Sequence, residues 1–267
     1  MKARLAGAIL AAIVFALPVV WMIGTSFKPA GEIGAASAAL LPRHPTLIHY
    51  AWLIESRAWS LALNSLIVTA GTTVLALAAA LPAAYALARL PVPGSNVFLL
   101  LVLAAQMFPA IVIVIPLFIA ASKLGLIDTR LNLILVYLSF NLPVVIWVLR
   151  GFFAGIPQGL ERAARIDGAG IVQTFLLIIL PISWPPLFAA AVFAFIEAWN
   201  EFFFALIMTR QSSQTVPLVI SAFAGQYQTV FGQMMAAAAI SIAPVIILAI
   251  LLRNHILRGF ADGILKG

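Results

Sequence analysis

Six apolar stretches alternate with polar segments along this chain, at 5–27, 62–88, 97–121, 131–153, 185–208 and 231–252. A bilayer core about 30 Å thick is crossed by about 20 apolar residues in helical form. The pattern therefore predicts an all-α membrane protein with six transmembrane helices, organised as one domain over residues 1–267. The polar connections are 28–60, "RLPVPGSN" at 89–96, "SKLGLIDTR" at 122–130, 154–184, 209–230 and a tail from Arg253. The first stretch follows a basic start, as a secretory leader would. Its apolar run is longer than the roughly 7–15 residues of a leader, and no small-x-small cleavage site follows cleanly, so it reads as a retained first span.

Composition agrees with that reading. Apolar residues make up 64% of the chain, charged residues only 9%, and the mean hydropathy is +1.14. The net charge of +7 is spread singly over loops and ends and forms no basic patch with interleaved aromatics, which argues against nucleic acid as a partner. With the N-terminus cytoplasmic, Lys2, Arg4, Arg89, Arg150, Arg162, Arg165, Arg253, Arg258 and Lys266 fall inside. Lys28, Arg43, Arg57, Lys123, Arg130 and Arg210 fall outside. This bias predicts both termini inside, and it places 154–184 in the cytoplasm. No cysteine is present, so no disulfide framework, thiolate metal site or cysteine nucleophile arises. His44, His49 and His255 lack the spacing of a metal site.

Pro18, Pro82, Pro109, Pro116, Pro143 and Pro244 lie within the predicted spans. Kinks of this kind are tolerated where neighbouring groups re-satisfy the freed carbonyls, and they can leave a cavity between helices. "GFFAG" at 151–155 fits a small-xxx-small packing face, although a local turn at the end of a span explains it equally well. No internal repeat supports an inverted-repeat transporter.

The stretch "ERAARIDGAG" at 161–170 is unusual in a chain with 8 acidic and 15 basic residues. Leu160, Ala163, Ala164 and Ile166 alternate with charges as in a short amphipathic helix of about three turns over 158–168. Pro157 marks its start, and Gly168 can take the left-handed conformation that stops it. An interfacial helix on the headgroups is the bland alternative, weakened by charges of both signs and by the lack of a large aromatic anchor before Phe175.

Ala163-Ala164, Gly168, Ile178 and Leu180-Pro181 stand at the spacings of the cytoplasmic signature of permease subunits of binding-protein-dependent ABC importers: Glu-Ala-Ala, three residues, Gly, nine residues, Ile, one residue, Leu-Pro. Arg162 stands where that signature has glutamate, with Glu161 one position earlier. Segments 64–94, 107–157, 195–206 and the closing "LRGFADGILKG" also resemble the carbohydrate branch of the family, and in particular the second permease of its heterodimers (maltose-transporter-like). The resemblance implies the type I ABC importer permease fold in the cytoplasmic (inner) membrane. It implies as partners a second homologous permease, two ATP-binding cassette subunits carrying ATP and Mg, an extracytoplasmic solute-binding protein and membrane lipid. It further implies that 160–170 is a coupling helix seated on an ATPase subunit. Ala163, Ala164 and Gly168 would then give close approach, and Glu161, Arg162, Arg165 and Asp167 polar contacts. With Arg162 in the signature's glutamate position, either Glu161 takes over its pairing or the ATPase carries a compensating acid, because a like-charge contact at a desolvated interface costs several kcal/mol.

Glu197 and Glu201 fall four apart in the fifth stretch, which predicts one helical face bearing both, with Trp199 and Asn200 between them. An acid in lipid is a functional-site candidate by default. A polar lining for a sugar path and an interhelical hydrogen-bond anchor are both open readings of it. Gln106, Asn141, Tyr137 and Asn64 are further candidates for such a path. A proton-coupled secondary transporter using Glu197 or Glu201 is the competing class, and it leaves "ERAARIDGAG" unexplained. The chain shows no Ser/His/Asp set and no phosphate-binding Gly-Lys-Ser/Thr loop, so it is not expected to hydrolyse ATP itself. Together with the resemblance this implies a transport subunit and not an enzyme.

Overall fold

A computed structural model describes residues 2–33, 39–56, 58–225 and 231–264. Arg57 and Lys266, which entered the charge balance, and the last residues of the closing segment lie outside the described residues. All regular structure among the described residues is helical. In chain order the helices are α1 (Lys2–Ser26), α2 (Ala30–Ile33), α3 (Ile48–Glu55), α4 (Ala58–Arg89), α5 (Ser95–Ala105), α6 (Ala110–Lys123), α7 (Arg130–Gly155) and α8 (Gly159–Ile166). Then come α9 (Ile171–Thr174) and α10 (Leu180–Ile182), joined through a π-helical stretch at Phe175–Ile179. The series closes with α11 (Trp184–Trp199), α12 (Phe203–Met208), α13 (Val216–Gly225) and α14 (Phe231–Ile264).

Four helices among the described residues are long and apolar enough to cross a bilayer: Arg4–Ser26, Trp59–Arg89, Arg130–Gly155 and Phe231–Ile250. Two bent pairs bring the number to six if each is one span. Ser95–Ala105 with Ala110–Lys123 bends by 93°, and Ile171–Ile182 with Trp184–Trp199 bends by 79°. The first bend and a break after Trp199 correct two of the predicted stretches. The third is not one rod, because Pro109 cannot donate to the preceding turn and disfavours helix at Phe108. The fifth does not continue to 208. Its helix ends at Trp199, and α12 follows as a separate short helix. Pro18, Pro82, Pro116, Pro143 and Pro244 instead sit inside unbroken helices.

The chain packs as two compact units, one of residues 1–65 with 214–247 and one of 66–213 with 248–267. In the first, Leu53, Ala236 and Ala237 form a small core against Tyr50, Ile220 and Phe223. Its polar groups are tied locally. The Ser26 and Tyr50 hydroxyls bond at 2.7 Å, the Asn64 amide donates to the Gln214 carbonyl at 3.0 Å, and the Val216 amide donates to Ser65 Oγ at 2.8 Å. A Cβ on Gly232 would fall 2.1 Å from the His49 ring, so only glycine lets α14 pass that close.

The second unit is built around α7, which packs most extensively on α11. Ala80 and Ala84 of α4 and Ala190 and Ala194 of α11 are buried with Val145, Leu149 and Phe153 of α7. Small side chains at such crossings let backbones approach where lipid offers no hydrophobic drive. A second cluster joins Val68, Val114, Leu133, Val136, Tyr137, Ala198, Phe204 and Met208. Gly151 and Gly155 are not part of this packing, since a Cβ on either would meet nothing within 4 Å.

Asp128 ties the turn before α7 to the one after α12. Its Oδ1 accepts the amides of Arg210 (2.9 Å), Ser212 (3.1 Å) and Ser213 (3.1 Å) and the Ser213 hydroxyl (3.1 Å). Its Oδ2 accepts the amides of Gln211 (3.1 Å) and Ser212 (3.0 Å). The residue holds a left-handed φ of 61°, a conformation that aspartate tolerates better than most. Burial pushes the carboxyl up, but the converging amides of Arg210, Ser212, Gln211 and Ser213 outweigh it and hold the group well below the usual carboxylate range. A depressed folded-state value means that the carboxylate stabilises the fold above the ordinary range, and that the contribution is lost as pH falls below it. Asp128→Asn should therefore lower the Tm of the detergent-solubilised protein at neutral pH, and the gap to the wild type should shrink on acidification below about pH 4. A gap that widens on acidification contradicts this.

Candidate functional site

Two features stand apart from the packed core: the short helix α8 and a cavity beside α7 and α11. The end of α8 is closed by a hydrogen-bond pair that glycine makes possible. Gly168 has φ +84°, its amide donates to the Arg165 carbonyl at 3.1 Å, and the Ala169 amide reaches the Ala164 carbonyl at 2.9 Å. This is the Schellman arrangement, in which a left-handed residue satisfies the last carbonyls. The helix is two turns long, shorter than the predicted three.

Which α8 side chains face outward differs from the sequence reading. Arg162, Ala163, Arg165, Asp167 and Gly168 are exposed, and Ile166 is 86% exposed. Arg162 folds back to donate to Gln158 Oε1 at 3.3 Å. Ala164 is buried, so of the two alanines only Ala163 offers close approach to another surface. Glu161 is buried too, and its carboxylate lies 3.3 Å from Arg89 Nε at the end of α4. Glu161 is therefore already paired within the chain and is not available to take over a contact on a partner. In the sequence Arg89 enters only as an orienting charge. Separated from Glu161 by most of the second unit, the arginine carried no local signal beyond being a lone charge at the end of a span.

The cavity, about 150 Å³, is lined by Gln106, Tyr137, Phe140, Asn141, Val144, Phe193, Glu197, Ala198, Glu201 and Phe204. Of the polar candidates in the apolar stretches, Gln106, Tyr137, Asn141, Glu197 and Glu201 converge on this cavity. Trp199 and Asn200 do not line it: Trp199 is buried and stacked on Phe195 with centroids 5.7 Å apart, and Asn200 is the exposed cap of α11. Asn64 belongs to the first unit. The predicted common helical face of Glu197 and Glu201 is corrected as well, because the helix stops between them.

Beyond that break Glu201 acts as a cap. Its Oε1 accepts the Phe204 amide at 3.0 Å and its Oε2 the Ala205 amide at 3.2 Å, which satisfies two donors at the start of α12. Glu197 has the opposite placement, in the last turn of α11, where a carboxylate meets the negative end of the helix dipole. Helix stability does not account for it, and it stands exposed at the cavity. The Asn141 amide donates to the Ala194 carbonyl at 2.9 Å and the Gln106 amide to the Phe140 carbonyl at 3.2 Å. Asn141 Oδ1 is buried with no protein partner, an acceptor left over at the cavity wall. Phe140 and Phe204, stacked at 4.6 Å, supply the apolar wall that sequence reading missed. The cavity combines acceptors, a carboxylate and aromatic faces in one concave site.

Residues 76–262 match the family described as binding-protein-dependent transport system inner membrane component. The chain is 36% identical over 266 residues to the trehalose/maltose transport system permease protein MalG of Thermococcus litoralis, covering 98% of this chain and 95% of that one. It is 34% identical over 252 residues to the diacetylchitobiose uptake system permease protein DasC of Streptomyces coelicolor, covering 94% and 91%. To the trehalose transport system permease protein SugB of Mycobacterium tuberculosis it is 37% identical over 255 residues, covering 94% and 92%. A chain in the crystal structure of a bacterial ABC transporter for import of the acidic polysaccharide alginate shares the fold, with a TM-score of 0.78 at 23% identity over 95% of this chain and 94% of that one.

The two acids should separate experimentally. Glu201→Ala should destabilise the detergent-solubilised protein by about 1 kcal/mol through loss of the cap, while Glu197→Ala should leave the thermal midpoint unchanged or raise it. Equal losses in thermal melts contradict the assignment of roles.

Proposed function

The chain belongs to the family of binding-protein-dependent transport system inner membrane components, and we propose that the solute it passes is a sugar or sugar-like molecule. It is a membrane permease of an ABC importer, a transport subunit and not an enzyme, and its family implies a partner ATPase and a solute-binding protein. In the proposed assembly it pairs with a second homologous permease. Two ATP-binding cassette subunits hold ATP and Mg, both termini are cytoplasmic, and α8 faces the ATPases.

The exposed side of α8 carries this reading. A short helix with a closed end presents Ile166 to solvent between Arg162, Arg165 and Asp167. One apolar knob ringed by charges of both signs fits a protein groove better than a lipid surface, where anchoring takes a broad apolar face. Closure of two ATPases around ATP would then push on α8, and the permease pair would tilt from inward-facing to outward-facing. Arg162 would meet an acidic residue of the ATPase, since Glu161 is held inside.

The substrate class is supported by the names of the relatives, which speak of trehalose, maltose and diacetylchitobiose, and by the cavity. Glu197 and Asn141 Oδ1 are acceptors for sugar hydroxyls, and Phe140, Phe193 and Phe204 present faces to the apolar side of a sugar ring. The proton-coupled alternative loses one of its two carriers, because protonating Glu201 would remove an acceptor from the start of α12.

Two tests follow from these surfaces. Ile166→Asp should insert normally and abolish ATP-driven uptake, and Ile166→Cys should form a cross-link to an ATPase subunit carrying a cysteine scan of its surface. Full uptake by Ile166→Asp, or no adduct at any scanned position, contradicts the docking role. Glu197→Ala should slow sugar uptake by about tenfold, the loss of roughly one charge-assisted hydrogen bond, as read in the reconstituted complex. Unchanged uptake removes Glu197 from the path.

A further inference from the structure

The Arg89–Glu161 pair is a largely buried ion pair, and nothing in the proposed docking or solute path uses it. The side chains are 6% and 10% exposed, with Nε and Oε1 3.3 Å apart. Arg89 also donates through Nη2 to the carbonyl of Ile156, the residue that ends α7. One guanidinium thus joins the end of α4, the end of α7 and the first turn of α8. Both partners suit their helix ends, a cation in the last turn of α4 and an acid in the first turn of α8. Tyr85, one turn earlier on α4, lies within electrostatic reach of the Glu161 carboxylate. It packs on Phe153 at 5.9 Å and on Phe175 at 4.9 Å, so three aromatic rings screen this end of α4 from water.

The mechanical consequence follows from how α8 is attached. Covalently it hangs by two connections, from α7 through Ile156–Gln158 and to α9 through Asp167–Gly170. A body held at two points can rotate about the line between them, and a push on its outer face is lost in that rotation. A third attachment off that line removes the freedom. The buried Ala164 holds α8 by packing alone, whereas Arg89 adds a charged tether at the end of α4, whose Ala80 and Ala84 are locked into the core with α7 and α11.

We propose that the Arg89–Glu161 ion pair is the positioning link that transmits displacement of α8 to α4, and that it stays closed throughout the transport cycle. The proposal deepens the coupling role argued above and rests on it. Because the pair is desolvated, a single reversal leaves two like charges facing each other in a dry site, whereas exchanging the two residues restores attraction.

The test uses the whole complex, with its second permease, ATPases and binding protein, in vesicles of bilayer lipid. Arg89→Glu or Glu161→Arg alone should lower sugar uptake per ATP hydrolysed by about tenfold, within the range of coupling between distant sites. The double exchange should recover most of it. Because the chain contains no cysteine, Arg89→Cys with Glu161→Cys can be bridged by a reducible bifunctional thiol reagent that spans the room left by the two longer side chains. The bridged form should transport with near wild-type coupling, and the form released by reductant should not. Wild-type coupling in either single reversal overturns the proposal, as does a double exchange no better than the singles. A cross-link that arrests uptake also overturns it, since the pair would then be a latch that opens. Failure of the underlying reading shows separately, as absence of any Ile166→Cys adduct with the ATPase while the 89–161 results stand on their own.

Discussion

A helix that breaks inside an apolar layer must find other partners for the backbone groups it frees, because no water is there to take them. The second unit of this chain breaks its helices at 106–109, at Ser183 and at 200–202, and backbone turns or side chains answer each time. The Met107 and Phe108 amides turn back to the Ala104 and Ala105 carbonyls, Ser183 Oγ donates back to Ile179, and the Glu201 carboxylate collects the first amides of α12. Gln106 and Asn141 tie the broken helices to α7 through the Phe140 and Ala194 carbonyls. The cavity lies between the first and third breaks, lined by Gln106, Asn141 and Glu201. Interrupted helices leave both the space and the polar groups that line it.

That constraint also sorts the acids of the cavity. Glu201 is used up by the break it caps, whereas Glu197 sits where its charge opposes the helix dipole. A residue that its local structure does not need is the better candidate for work on a passing solute. The same sorting applies on α8, where Glu161 and Ala164 are turned into the protein and Arg162, Ala163, Ile166 and Asp167 remain for a partner. Cavity and α8 belong to one unit, and α7 runs from the cavity wall at Tyr137 and Asn141 to the carbonyl of Ile156 that Arg89 holds.

Much of this was legible in the sequence, for identifiable reasons. Long apolar runs leave little choice in a bilayer, so α1, α4, α7 and α14 lie close to where hydropathy puts them. Gly168 was readable because a left-handed helix stop has few other solutions. Gln106, Asn141, Glu197 and Glu201 stood out because polar groups in apolar stretches are rare. The breaks were less visible. Five prolines within helices are tolerated and Pro109 is not, and the difference depends on which neighbours repair the backbone. The inward turn of Glu161 was invisible, since its partner on α4 is remote in sequence. Asp128, in an ordinary loop, gave no sign of the amides that converge on it from 210–213.

The proposed movement of a sugar through displacement of α8 by ATPase subunits can be read in uptake of labelled sugar into vesicles holding the reconstituted complex, with ATP on the ATPase side and the binding protein on the other. Uptake should require ATP, the ATPases and the binding protein together and should be indifferent to a proton gradient. Uptake by the permease alone, driven by a proton gradient in the absence of ATP, would contradict it.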